Sequence, residues 1–137
     1  MKIKISYSKR TSAVKDAFNS MFPYLRIEFF NIFHGLGEPT SKSHLVSGDV
    51  PLDQLNPLIK GGVLTITGDQ TVQEIEQVFK EEFGLSIQVF RKQNDVWIET
   101  THTDLLTLDK QNDMGKKAIQ TKEREISERL YPDDAAY

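Results

Sequence analysis

The chain changes its hydrophobic period twice in the same order, from two to about 3.6 and back to two. That grammar restricts it to a fold assembled from β-α-β units. Ile3, Ile5 and Tyr7 alternate with Lys2, Lys4 and Ser6, the pattern of a strand with one buried side. From Thr11 onward Val14, Ala17, Phe18, Met21 and Phe22 recur at helical spacing, and Pro23 stops the run because its ring cannot continue an α-helix. Leu25, Ile27 and Phe29 then alternate with Arg26, Glu28 and Phe30, which closes a first β-α-β unit over residues 2–33.

The second unit opens with a β-branched strand, Val63 to Thr67, and a turn at Gly68-Asp69-Gln70. Thr71 and Glu74 have the spacing of a capping box, in which hydroxyl and carboxylate satisfy orphan amides at a helix start. Val72, Ile75, Val78, Phe79 and Phe83 form the apolar stripe. Glu74, Glu76, Gln77, Lys80, Glu81 and Glu82 read as a solvated face with Glu76 supporting Lys80, and Gly84 stands where a left-handed cap belongs. Leu85, Ile87 and Val89 alternate next, and Gln93-Asn94-Asp95 turns the chain into a hairpin partner, Val96-Trp97-Ile98. The two units superpose at an offset of 61, which matches Val14 with Ile75, Phe18 with Phe79 and Phe22 with Phe83; the offset then drops to 60, matching Leu25 with Leu85 and Ile27 with Ile87. A shared period also produces such a match without any duplication.

Two β-α-β units with right-handed crossovers interleave into one antiparallel sheet with both helices on one face. The expected fold is therefore α+β and ferredoxin-like, with an extra hairpin strand and a C-terminal helix from about Leu108 to Leu130, whose sparse seam is Leu108, Gly115, Ile119, Ile126 and Leu130. Residues 1–130 are expected as a single domain and 131–137 as a frayed tail. The inter-unit segment 34–62 reads as a long loop, with one short helical turn where Leu52, Leu55 and Leu58 lie between Pro51 and Pro57. A chain of 137 residues buries roughly two thirds of its unfolded surface, so it needs neither disulfide nor metal to fold. There is no cysteine, which removes thiolate chemistry and suits a reducing cytoplasm. The alternating start is not a signal segment and no apolar run approaches a membrane span, so a cytoplasmic protein without membrane contact is expected.

Chemistry has little support in the residue pattern. His34, His44 and His102, the last followed by Asp104, show none of the spacings of a metal site, and no catalytic, metal or cofactor-binding residue is assigned. Ser41, Ser43 and His44 lack a nucleophile elbow to hold them. His34-Gly35-Leu36-Gly37 is followed by no helix start and no Lys-Ser/Thr pair, so it is not a phosphate loop.

Charge is more informative. The formal net charge is −3, which gives no bulk attraction to nucleic acid. Its distribution is uneven: residues 1–30 carry six basic residues against two acidic ones, and residues 63–101 carry three against seven. With helices on one side of the sheet, the other side presents Lys2, Lys4, Arg26, Thr65, Thr67, Gln88 and Phe90, joined by Phe30 and Trp97. Lys2, Lys4 and Arg26, with Phe90, Arg91, Lys92 and Trp97 of the hairpin, are the candidate interaction surface. A basic, aromatic sheet can hold single-stranded nucleic acid, although its central strands would offer Lys and Thr where stacking rings are needed. Alternatively, the third helix folds back so that Leu105, Leu108, Ile119 and Ile126 cover Phe90 and Trp97, and a partner occupies what remains open.

Phe83-Gly84-Leu85-Ser86-Ile87-Gln88-Val89-Phe90-Arg91-Lys92, then Val96-Trp97-Ile98-Glu99-Thr100-Thr101 and Leu108-Asp109-Lys110-Gln111-Asn112, resembles a group of small uncharacterised bacterial proteins, and the likeness extends to Ala17-Phe18 and Phe22-Pro23. The resemblance implies a bacterial cytoplasmic setting and no activity. The expectation is a non-enzymatic binding or adaptor module that engages another protein or a second copy of itself. Nucleic-acid binding through Lys2, Lys4, Arg26, Phe90 and Lys92 is the alternative, and an enzyme built around His34, His44, His102 and Asp104 is the third reading.

Overall fold

The computed structural model describes residues 1–31 and 45–130. The order of elements is β1 (Lys2–Ile5), α1 (Thr11–Met21), β2 (Leu25–Phe30), α2 (Leu52–Leu55), β3 (Gly62–Thr65), α3 (Val72–Phe83), β4 (Ser86–Gln93), β5 (Val96–Glu99), a 3-10 turn at Thr101–Thr103, and α4 (Leu108–Leu130). The molecule is mixed α+β and its strand ladders are antiparallel, as the periodicity predicts. The ladders form two sheets, β1–β3 and β2–β4–β5. Packing unites them. Ile3, Ile5 and Leu64 of the first sheet share one buried cluster with Leu25, Ile27, Phe29, Ile87 and Val89 of the second.

The helical stripes close that cluster. Val14 and Phe18 of α1, with Phe22 just beyond it, and Val72, Ile75, Phe79 and Phe83 of α3 are all buried, so the five residue pairs matched at offsets of 61 and 60 occupy equivalent inner positions. Phe29 meets Phe79 edge-on at 6.2 Å between centroids, and Phe18 meets Phe22 at 5.3 Å, arrangements that suit the aromatic quadrupole. Val78 is partly buried at the cluster's edge.

Local signals explain most boundaries. Thr71 Oγ1 accepts from the Glu74 N–H at 3.1 Å, and Gly84, at φ 67, ends α3 with its N–H donating to Lys80 O. Asn94 takes the left-handed conformation, φ 56, in the two-residue loop between β4 and β5. α1 is capped from afar: the carboxylate of Asp49 accepts from the Ser12 N–H at 3.0 Å and from the Thr11 hydroxyl at 3.3 Å. The Ser12 amide, followed by the Ser12 hydroxyl and Arg10, holds the Asp49 carboxyl below its ordinary range. In α2, Leu52 and Leu55 are buried and Leu58 is exposed, because the helical turn ends before Leu58 reaches the core. β3 begins one residue earlier than the β-branched run and ends at Thr65.

α4 lies elsewhere than expected. Leu105 is 71% exposed and Ile126 44%, and of the four residues meant to cover Phe90 and Trp97 only Leu108 is buried. The docking face of the helix is Leu108, Gln111 and Gly115. A Cβ at position 115 would stand 2.8 Å from Tyr24 Cβ, so glycine is what lets the helix approach the end of β4. The Tyr24 N–H donates to Asn112 Oδ1 at 2.8 Å at the same corner. Lys122 reaches Asp95 at the tip of the β4–β5 hairpin, and residues 123–130 are exposed all round. Among the described residues no helix is long and apolar enough to cross a membrane. Residues 131–137, expected to fray, lie outside the described residues, as does the start of the long loop.

Candidate functional site

Alternation along β4 sorts the hairpin residues into two groups. Ile87, Val89 and Arg91 point to the buried side with Leu25, Ile27 and Phe29, their partners in register. Gln88, Phe90 and Lys92 point the other way, and the pairings Arg26 with Phe90 and Lys92 with Trp97 put those four half-buried side chains on one face, open at this end and closed at the other, where Glu28 and Phe30 are buried.

On that face the cations stack on the rings. The Arg26 guanidinium carbon lies 4.9 Å from the Trp97 ring centre and 5.8 Å from that of Phe90, and Lys92 Nζ lies 5.2 Å from the Trp97 ring. Glu28, two residues along β2, anchors the group from below. It accepts from Lys15 Nζ of α1 at 2.9 Å, and its other oxygen lies 3.3 Å from Arg26 Nε, a contact too poorly aligned for a hydrogen bond. The Glu28 side chain is only 10% exposed, whereas that of Arg26 is 41% exposed. The guanidinium is thus fixed at its root and open at its rim, a preorganised donor group.

The opposite side of the hairpin is structural. Arg91 is 8% exposed; its Nη1 donates to Gln111 Oε1 at 2.7 Å, and its buried Nε has no partner. Gln111 in turn donates to the Thr103 carbonyl at 2.7 Å and hydroxyl at 2.9 Å, which ties α4 to the 3-10 turn. Burial lowers the pKa of Arg91. Glu76 also leaves its expected place. It is half-buried and accepts from the Val89 N–H at 3.3 Å, completing β4 where β5 has ended. Burial pushes its carboxyl up to about 7, helped by the charges of Asp104 and Glu99 and opposed by the Val89 amide.

Of the seven candidate surface residues, the structure gathers Arg26, Phe90, Lys92 and Trp97. Arg91 is corrected to a buried contact, because it falls on the inward phase of β4. Lys2 and Lys4 are exposed on β1, in the other ladder, opposite Thr65 and Val63. Sequence reasoning missed Lys15 and Glu28. The Arg26–Glu28 spacing was readable as a same-face pair, but the reach of Lys15 across from α1 was not. His102 is exposed and Asp104 half-exposed; His34 and His44, with the loop between them, lie outside the described residues. Among the described residues no three His, Asp or Glu side chains converge as a metal site would require. No family model, curated protein or solved structure matches the chain.

Proposed function

We propose that this chain works by binding, engaging a protein partner through the open face of the β2–β4–β5 sheet, without chemistry of its own. The observation that carries the reading is the Arg26 guanidinium held over both Phe90 and Trp97. Trp and Arg are the side chains that most often anchor protein interfaces, and here their ordering cost is met before any partner arrives. The same geometry argues against base stacking, since a nucleobase would have to displace Arg26 from the rings. A bacterial cytoplasmic setting belongs to the proposal, as does a ferredoxin-like order for how the two ladders abut.

The test is quantitative co-purification from a bacterial host, comparing the native chain with Trp97→Ala and with a control carrying Lys2→Glu and Lys4→Glu. A protein retained by the control and lost from the Trp97 variant supports the reading. An identical set on all three removes it, and so does a salt-sensitive shift of single-stranded oligonucleotides that depends on Arg26 and Lys92.

A further inference from the structure

Two cations crowd one indole: Arg26 and Lys92 both sit about 5 Å from the Trp97 ring centre, so like charges lie within about 10 Å of each other and repel. Glu28 is already shared between Lys15 and Arg26, and its side chain is almost fully buried. An incoming anion would relieve that repulsion. Beside this notch runs a strand edge that pairs with no other strand among the described residues. β5 is the outer strand of its sheet, and Val96 and Glu99 are exposed. In a hairpin closed by a two-residue loop, Gln93 and Val96 exchange hydrogen bonds, as do Arg91 and Ile98. The N–H and C=O of Trp97 and Glu99 therefore point away from β4. β5 itself carries neither lysine nor proline, residues that commonly protect an edge.

We infer that the partner segment is an extended, acidic peptide that adds as a further strand along β5 and places a carboxylate beside Trp97, facing the Arg26 and Lys92 cations gathered at that ring. Main-chain bonds to Trp97 and Glu99 supply the pairing, and alternate side chains of the added strand reach the open face. The carboxylate near Trp97 meets two cations, one of them a guanidinium suited to bidentate contact. Two positions along, the added strand meets Glu99, which selects against a second acid there. The inference rests on the binding reading above and narrows it to one mode and one chemistry.

Trp97 is the only tryptophan of the chain, so its emission reports on the notch alone. The probe is a short peptide alternating Val with one central Glu, titrated into the full chain. Its counterparts carry Lys in place of that Glu, or are replaced by oligo(dT). Saturable change in Trp97 emission with the Glu peptide is expected, weakening about tenfold in Kd when salt rises from ~50 to ~300 mM. Lys92→Ala is expected to weaken binding by a similar factor, and it removes only a surface contact; Arg26→Ala is checked for retained helicity by circular dichroism. Amide exchange should slow at Trp97 and Glu99 on peptide addition. An equal response to the Lys peptide, a response to oligo(dT) alone, or emission that changes with protein concentration without peptide overturns the inference, the last pointing to a second copy of the chain. If co-purification depends on Trp97 while the Glu peptide leaves emission unchanged, the binding reading stands and only the acidic-strand mode fails.

Discussion

Glu76 shows how one residue's surroundings can reverse the meaning of its position. On a helical wheel it belongs to the charged face, yet its carboxylate caps an unpaired amide of β4 near Asp104 and Glu99. Its folded pKa, about 7, is above its ordinary value of 4.5, so the folded state holds a proton that the unfolded chain releases. The stabilisation from that proton is complete below the unfolded pKa and is lost as pH rises through the folded one. Urea midpoints should therefore fall between pH 5 and pH 8, and Glu76→Gln, which keeps an acceptor for Val89 and cannot ionise, should flatten the decline. An unchanged slope in the variant would place the effect on another group. Gly84 is a second residue-scale case. Alanine there would meet the left-handed φ and would also stand 2.5 Å from Asn56 Nδ2, which donates to the Gly84 carbonyl. Gly84→Ala should cost on the order of 1–3 kcal/mol in denaturant unfolding, more than the left-handed conformation alone explains.

At the scale of elements, α4 divides into two parts. Its first half is held by Leu108, Gln111, Asn112 and Gly115; its last two turns are exposed along their whole length. Gln111→Leu keeps the volume and leaves the buried Arg91 Nη1 with only the Met114 sulfur, a weak acceptor, so a loss of about 1–3 kcal/mol is expected from chemical denaturation. Ending the chain after Lys122 should leave the thermal midpoint within about a degree of the full chain, because exposed terminal turns add little beyond their own helicity. A large drop would show that the exposed turns pack against something. Elements whose ends are set by neighbouring residues were readable from composition: the Pro23 stop, the Thr71 cap, Gly84 and the Asn94-Asp95 loop. The start of α1 was not fully readable, since its cap, Asp49, comes from a residue 37 positions after the amide it satisfies.

For the whole molecule the decisive fact is the single buried cluster beneath two ladders. One core predicts one cooperative transition. Trp97 emission, which reports the open face, and helix ellipticity should lose their native values at the same urea concentration. Separate midpoints would mean that the two sheets unfold independently. The opposed charges of residues 1–30 and 63–101 act on this scale only weakly, since exposed charges are screened by salt.

The order of strands and helices, their inner faces and most turns follow from the sequence alone, because each depends on residues a few positions apart and on a period that a linear string displays directly. Partners distant in the chain follow from the tertiary structure: two ladders joined through one core, Arg91 turned inward to Gln111, α4 docked away from Trp97, and Lys15 brought to Glu28 and Arg26. Each of these is set by competition among surfaces for burial, and that competition is resolved only when the whole chain packs.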